Sequence, residues 1–320
     1  MRRIKLSFVK PIESIAADYT RSNIHTSISN EVLPSYRRYT PACELQNYER
    51  RTLKSSGKRW KALVLLCAPA LLAPPLSQAQ WRTPWEYEGA KGAGHWSELD
   101  PDYAACNAGK EQSPIDIRHA NKADVPTLRF EYKPGPLRYL VNNGHTIRVN
   151  YHDTPGRGNF LIVGSQRCQL TQFHFHYPSE EHLGGKAYDM VLHLMHTASD
   201  GKIVGVAVFL KAGKANATIQ RIWDHMPMTE GRVAPDFSHE ELAIAGVEID
   251  PAALLPRSIV HYYTYMGSVT APPCTEHVEW FVLKTPVDIS AQQITAFARL
   301  YPNDARPVQP LNGRIVKESR

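Results

Sequence analysis

The stretch QLTQFHFHYPSEEHLGGKAYDMVLHLMH, residues 169–196, contains two strand-like runs, QLTQFHFHY (169–177) and MVLHLMH (190–196), which include His174, His176 and His193. In the first run, His174 and His176 are two residues apart, so a strand places both imidazoles on one face and the phenylalanines beside them on the other. In the second run, the same alternation places His193 on one face of the strand. Two adjacent antiparallel strands could therefore bring the three imidazoles together.

Three neutral imidazoles with one open position form the ligand set of a catalytic zinc ion, whereas structural zinc sites are closed by four ligands and are usually rich in cysteine. The His174, His176 and His193 set therefore predicts a catalytic zinc site. Taken alone, a His-x-His pair on a strand is more often a surface or core feature. The rest of the chain must decide between these interpretations.

Short alternating runs, split by Gly, Pro and Asn, continue on both sides of this stretch, and helical signals are confined to 218–226 and 291–300. The pattern predicts a mainly β (α+β) fold, a single domain at 80–320 with one large, mostly antiparallel sheet and short surface helices. The further runs are LRFEY (128–132), TIRVNY (146–151), IVGVAVFL (203–210), VHYYTYMG (260–267) and EWFVLKT (279–285).

The segment GKRWKALVLLCAPALLAPPLSQAQW, residues 57–81, has a basic start, an apolar stretch and small residues at its end. This order predicts a signal peptide at 58–79 with cleavage near Ala79. A membrane anchor is the alternative, but the apolar stretch is short and interrupted by prolines, so no stable membrane insertion is expected. Residues 1–57 show no clear period, and we expect them to be disordered or to precede the true translation start.

The chain has 320 residues and a formal charge of +6, which could suggest an anionic partner. Residues 1–80 contain 13 Lys and Arg against 5 Asp and Glu, which leaves 24 against 26 in the body. Because the body is close to neutral, nucleic acid is not expected as a partner.

Three cysteines remain after removal of the predicted leader: Cys106, Cys168 and Cys274. Export permits disulfide formation, and an odd number allows at most one intramolecular bridge. The residues alone do not choose the pair.

Eight segments stand out between residues 85 and 315: WEY (85–87), HW (95–96), QSPIDI (112–117), NNGH (142–145), QFHFHYPSE (172–180), HLMH (193–196), GSVTAPPCTE (267–276) and RPVQPLNGR (306–314). In these segments and in their order, essentially the whole of residues 85–315 resembles an α-class carbonic anhydrase of the bacterial, exported type. The resemblance implies a twisted, largely antiparallel central sheet, one zinc ion per chain, and reversible hydration of carbon dioxide to bicarbonate and a proton.

By this resemblance the zinc ligands are the three histidines, with Gln172 accepting from His174 and the backbone carbonyl of Asp304 serving His176. The chain departs from the animal form of the family, which has Glu two residues before the third histidine, where this sequence has Val191. Since valine cannot accept the imidazole N–H, either water or another acceptor serves His193, or this ligand is less well oriented and metal retention is weakened.

The resemblance also assigns the reaction's other roles. Thr270 accepts a hydrogen bond from the zinc-bound hydroxide and donates its own to Glu180, and His145 carries the proton away. Residues that order the active-site waters and this relay are Tyr87, Asn143 and Ser113. The carbon dioxide pocket is formed by Met195, Gly205, Val269, Val278, Trp280 and Ala271.

Two further expectations follow from the resemblance. Gly205 replaces the family's usual valine, so the pocket is expected to be wider there unless Met195 fills the space. A disulfide is expected between Cys106 and Cys274, with Cys168 as a buried free thiol.

The leading hypothesis is therefore a zinc carbonic anhydrase in the periplasm, or secreted outright, with weak esterase activity as a side reaction. An inactive carbonic-anhydrase-related binding module and a periplasmic zinc-binding protein are the alternatives. The first typically lacks a zinc histidine, and the second needs neither relay nor shuttle. Whether the chain forms a homodimer stays open.

Overall fold

The computed structural model describes residues 83–230, 241–242 and 244–320. The predicted extension and signal peptide, residues 1–57 and 58–79, lie outside this part. Within it, the strands are β1 (Asp116–Ile117), β2 (Asn121–Ala123), β3 (Leu128–Glu131), β4 (Gly135–Pro136), β5 (Leu140–Asn142), β6 (Ile147–Asn150), β7 (Phe160–Val163), β8 (Gln166–His176), β9 (His182–Leu183), β10 (Lys186–Ala187), β11 (Met190–Ala198), β12 (Ile203–Ala212), β13 (Glu248–Ile249), β14 (Tyr262–Ser268), β15 (Glu276–Ile289) and β16 (Lys317–Ser319). The helices are α1 (Trp96–Leu99), α2 (Ala105–Ala108), α3 (Ala217–Trp223) and α4 (Ala291–Ala298), with 3-10 turns at Gly89–Lys91, Pro101–Tyr103 and Pro251–Leu254.

A central sheet of eleven strands forms the body of the fold, in the order β2-β16-β14-β15-β12-β11-β8-β6-β5, with β7 also paired to β8 and β3 to β7. Most neighbours are antiparallel, but β12 pairs with β15 and β16 with β2 in parallel. The predicted mainly β class, with a large sheet and short helices, is confirmed. A smaller sheet has the order β1-β9-β10, in which β1 pairs in parallel with β9. Its strands β9 and β10 belong to the segment between β8 and β11.

The two faces of the central sheet have different roles. The larger apolar cluster includes Phe173 and Phe175 of β8 and extends to Ile222 of α3 and Phe297 of α4. On the other face, the smaller cluster includes Val191 and Met195 of β11 and Trp280 of β15. The alternation predicted for residues 169–196 therefore holds, because the histidines share the second face.

Both predicted helical segments form helices, and each begins at a side-chain cap. Asn216 accepts hydrogen bonds from the backbone N–H groups of Thr218 and Ile219 at the start of α3. Ser290 and Gln293 form a capping box at the start of α4. These caps satisfy amide groups that have no partner within the helix. Among the described residues, no helix is both long enough and apolar enough to cross a membrane.

The disulfide joins Cys106, in α2, to Cys274, in the loop between β14 and β15, and their Cα atoms are 5.0 Å apart. This is the pair that the resemblance implied. Cys168 is a buried free thiol. The disulfide attaches the segment that precedes the central sheet to the loop that follows β14.

Candidate active site

The three predicted histidines converge on one point. His174 and His193 are direct cross-strand partners of β8 and β11, and Val191 is the partner of His176. Their ring centroids are 4.9 to 5.3 Å apart. One nitrogen from each ring lies within 4.8 Å of the others. The antiparallel register therefore produces the cluster directly.

Each imidazole is oriented by an acceptor on its outer nitrogen. His174 Nδ1 lies 2.8 Å from Gln172 Oε1, and His176 Nδ1 lies 2.7 Å from the carbonyl oxygen of Asp304. His193 Nε2 lies 3.0 and 3.1 Å from the two carboxylate oxygens of Glu181. With these acceptors holding the ring N–H groups, the remaining nitrogens carry lone pairs that point inward.

The inward nitrogens fit a metal ion. Within the described part of the chain, His176 Nε2 and His193 Nδ1 are buried and have no hydrogen-bond partner. Buried polar atoms are normally satisfied, so such a pair requires an explanation. Three imidazole nitrogens at this spacing, each oriented from behind, are the donor set of a tetrahedral zinc site with one open position.

Glu181 also belongs to the site, although the sequence alone assigned it no role. It is completely buried, and it supplies the acceptor that Val191 cannot provide. The available signal was the pair of adjacent acids, Glu180 and Glu181, of which only the first was assigned a role.

The electrostatics of the cluster differ from ring to ring. Burial, together with the neighbouring imidazoles, holds the pKa values of His174 and His176 well below the ordinary value. Burial also lowers the pKa of His193, but the Glu181 carboxylate outweighs it and the net shift is upward. All three effects follow from enclosing the rings beside one another and beside the carboxylates of Glu181 and Glu180.

Glu180 is also completely enclosed. Its Oε1 accepts a hydrogen bond from the backbone N–H of Arg306 at 2.8 Å. Its Oε2 lies 3.4 Å from His176 Nε2 and 3.8 Å from His193 Nδ1. Burial raises the pKa of Glu180 to about 7, whereas His193 and the Thr270 side chain oppose the shift. The Thr270 side chain therefore lies within hydrogen-bond reach of Glu180.

A cavity of about 240 Å³ opens onto the histidines. An apolar wall of the cavity contains Met195, Val269, Ala271 and Trp280. The rest of the lining includes a polar wall that contains Asn143, His145, Arg148 and Gln172. A small apolar substrate and a polar product can each find a matching surface there.

Two residues expected in the pocket are not part of its lining. Val278 is fully buried in the apolar cluster beneath it. Gly205 is the cross-strand partner of both Met195 and Trp280. A Cβ atom at Gly205 would lie 2.7 Å from the Trp280 ring. The expected widening is therefore wrong, because the indole fills the space of the missing side chain.

His145 lies half-buried in the cavity wall. Its ring stacks on Trp85 with centroids 3.6 Å apart. Nε2 lies 2.8 Å from the Trp85 carbonyl oxygen, and Nδ1 lies 3.1 Å from the carbonyl oxygen of Asn143. Tyr87 lies between this ring and the metal cluster, with its centroid 6.5 Å from both His145 and His176.

The remaining predicted residues support the site from behind. The Asn143 side chain accepts from the backbone N–H groups of His145 and Thr146, and so shapes that turn. Ser113 Oγ lies 3.2 Å from the Tyr265 hydroxyl and accepts from the N–H of Ser268. Ser113 is therefore located behind the loop that carries Thr270.

Arg148 is a second residue that the sequence analysis missed. It lines the cavity as the cross-strand partner of His174, and its Nε is buried without a partner within the described residues. The signal was present in TIRVNY, where alternation directs Arg148 and Asn150 to the same side.

Comparison with known proteins gives consistent results. The sequence model of the eukaryotic-type carbonic anhydrase family matches residues 91–320. A carbonic anhydrase of Nostoc sp. is 42% identical over 240 residues, which cover 73% of this chain and 86% of that protein. A carbonic anhydrase of Neisseria gonorrhoeae is 38% identical over 261 residues, covering 81% and 96%. The α-carbonic anhydrase of Thermovibrio ammonificans, solved with sulfanilamide, has a TM-score of 0.66 at 39% identity, covering 74% of this chain and 99% of that one.

Proposed function

The chain belongs to the eukaryotic-type, α-class carbonic anhydrase family, and from that membership we propose that it catalyses the reversible hydration of carbon dioxide to bicarbonate and a proton. The observation that carries the proposal is the convergence of one nitrogen each from His174, His176 and His193 at the base of the cavity. These residues would hold one Zn²⁺ ion per chain. When bound, zinc lowers the pKa of a water molecule to roughly 7 and so provides a nucleophile at neutral pH.

Thr270 and Glu180 orient the nucleophile. The Thr270 side chain is almost fully buried and faces both the cavity and Glu180. If its hydroxyl donates to Glu180, its oxygen can only accept from the attacking group, which fixes the direction of the reactive lone pair. The backbone N–H of Arg306 holds the Glu180 carboxylate in place for this purpose.

The apolar wall receives carbon dioxide. Met195, Val269 and Trp280 offer no strong hydrogen-bond partner on the cavity surface, since the Trp280 N–H donates to the carbonyl oxygen of Ser268 at 2.9 Å. A nonpolar substrate can displace water from such a surface at little cost. The charged product gains more from the polar wall.

His145 exports the proton. An imidazole has an ordinary pKa near 6.5, so it can accept and release a proton at neutral pH. In its observed position both ring nitrogens face backbone carbonyl oxygens. We infer that the ring leaves the Trp85 stack toward the cavity to take up the proton and returns to release it.

We also propose export. The disulfide fits an oxidising compartment, and the leader at 58–79 would be removed near Ala79 to leave a domain at 80–320. The periplasm, or secretion, is the proposed location. Carbon dioxide and bicarbonate are the proposed partners.

Measurement of zinc content and of carbon dioxide hydration on the full chain tests the proposal. We expect about one zinc ion per chain and a loss of more than about 100-fold in hydration rate for His193→Ala. His152→Ala is a suitable control, since that imidazole is more than half exposed beside Glu241. Unaltered turnover in His193→Ala would refute the enzyme. Tight zinc binding without hydration would favour the zinc-binding protein instead.

A further inference from the structure

The strongest unexplained feature beside the metal cluster is the burial of Glu181. Its side chain is 0% exposed, and both of its oxygens face the same nitrogen of His193. Glu180, the preceding residue, is 1% exposed. Two adjacent buried acids are costly to a fold unless positive charge or hydrogen bonds compensate for them.

The backbone at Glu181 is held from both sides. Ser179 Oγ donates to the Glu181 carbonyl oxygen at 2.8 Å and accepts from the N–H of Tyr188 at 2.8 Å. The next residue, His182, donates from its N–H to the carbonyl oxygen of Ile115 and begins β9, which pairs with β1. The carboxylate therefore approaches His193 from a rigid loop rather than from the strand that carries His193.

A carboxylate at position 191 could accept the His193 N–H from the strand that carries this histidine. Position 191 lies two residues before His193 on the same face of β11, where a carboxylate could reach the ring. In this chain Val191 is instead fully buried in the apolar cluster that includes Ile117 and Phe209. An acceptor at 191 is absent, and an acceptor at 181 is present.

We propose that Glu181 is the positioning residue of the metal site: it replaces a strand acceptor at position 191, fixes the His193 tautomer that presents Nδ1, and thereby sets zinc affinity. The proposal rests on the proposed function, because it assumes that the histidines hold zinc. An N–H that is bound from behind fixes the ring and raises its basicity toward the metal, and such partners typically contribute about 10-fold to 100-fold to metal affinity.

The test exchanges the two side chains. Zinc affinity is measured by competition with a chromophoric chelator on the full chain, for wild type, Glu181→Val, Glu181→Gln and the exchange variant Glu181→Val/Val191→Glu. We expect a loss of about 10-fold to 100-fold in Glu181→Val. Glu181→Gln should lose less, because its amide oxygen still accepts. The exchange variant should recover at least about tenfold of the loss, because it restores a carboxylate near the His193 N–H.

Glu279→Val is the matched control. Glu279 lies on β15 and its carboxylate is paired with Lys202. Because it is adjacent in the strand to Trp280, which lines the cavity, its side chain points to the opposite face, away from the cavity. The zinc affinity of the Glu279→Val variant should equal that of the wild type. A general effect of removing a partly buried acid would lower zinc affinity in this variant as well.

Wild-type zinc affinity in folded Glu181→Val, or in Glu181→Gln if the valine variant does not fold, would overturn the proposal. So would a folded exchange variant that binds zinc no better than Glu181→Val. Failure of the proposed function looks different: the wild type itself would bind no zinc or would not hydrate carbon dioxide. If the wild type does both and the Glu181 variants are unchanged, only the role of Glu181 is wrong.

Discussion

The effect of a single residue is clearest at Thr270, where one hydroxyl lies between the cavity and a buried carboxylate. Thr270→Val keeps the shape of the side chain and removes the hydroxyl. We expect the rate constant kcat for hydration to fall by about 100-fold, the usual effect of losing one preorganised group that contacts the reacting atoms. Thr270→Ser should retain most of the activity. Hydration kinetics test this, and zinc content should be equal in all three proteins.

At Gly205, the close packing of Trp280 limits the size of the side chain that the fold can accept. Gly205→Val should lower the free energy of unfolding by about 1–3 kcal/mol, because the new side chain would collide with Trp280. Urea unfolding measures the change. Gly94→Val is the control, since a Cβ atom there meets nothing within 4 Å. Equal losses in both variants would mean that the Trp280 contact is not the cause.

The burial of His196 predicts that the free energy of unfolding depends on pH, and His196 is not one of the three clustered histidines. Its ring is fully buried, with Nε2 2.6 Å from the Tyr132 hydroxyl, and burial lowers its pKa to about 4. A histidine with a depressed pKa stabilises the fold above its unfolded pKa of about 6.5, and this contribution is lost as the pH falls toward the folded value.

Lowering the pH from 7 to 5 should therefore reduce the free energy of unfolding by about 2 kcal/mol through His196, because the unfolded chain takes up a proton there that the folded chain does not. Urea unfolding of the wild type and His196→Gln at both pH values isolates this contribution, because effects at the zinc site cancel in the difference. The wild type should lose more stability on acidification than the variant. An equal loss in both proteins would contradict the assignment.

At the scale of elements, the loop between β14 and β15 depends on its attachment to α2. The Cys106–Cys274 bridge closes a chain segment of 168 residues. Its replacement, Cys106→Ser/Cys274→Ser, should cost about 2–5 kcal/mol of stability. It should also lower the hydration rate, because Thr270 is on the same loop. Thermal unfolding with and without reductant measures the first effect.

Cys168→Ala is the control for this prediction, since Cys168 is a free thiol in the core. That variant should remain sensitive to reductant, whereas the double serine variant should not. If reductant has no effect on the wild type, the bridge does not stabilise the fold.

Most strands could be predicted from the sequence, because alternation is a local property. The runs that became β8 and β11 placed their histidines on the correct face for this reason. The parallel pairing of β12 with β15 could not be predicted, because it joins segments that are far apart in the chain. The positions of Gly205 and Val278 beneath the cavity follow from that pairing, and this explains why both were assigned wrongly to its lining.

Glu181 shows a different limit. An acid in a loop has no periodicity, so its direction depends on how the loop is anchored. Here the anchor is the pairing of β9 with β1, which alternation within the stretch at 169–196 does not indicate. The histidine cluster could be predicted from one stretch, but the contact of Glu181 with His193 required the tertiary structure.

For the whole molecule, zinc should act as a ligand of the folded state. A metal held by strands from the centre of the sheet binds the native chain far better than the unfolded chain, so removal with a chelator should lower the melting temperature. Differential scanning calorimetry with and without added zinc measures the shift. His193→Ala should show a much smaller shift. If added zinc does not change the melting temperature of the wild type, zinc binding does not stabilise the folded state.

The position of β16 has a consequence for how the molecule is made. Residues 317–319 lie between β2 and β14, so the latest strand in the chain separates an early strand from the centre of the sheet. During synthesis, β2 cannot take its final place until residue 319 has left the ribosome. A nascent chain would remain incompletely folded until then, which is compatible with the export proposed above by machinery that accepts only unfolded polypeptides.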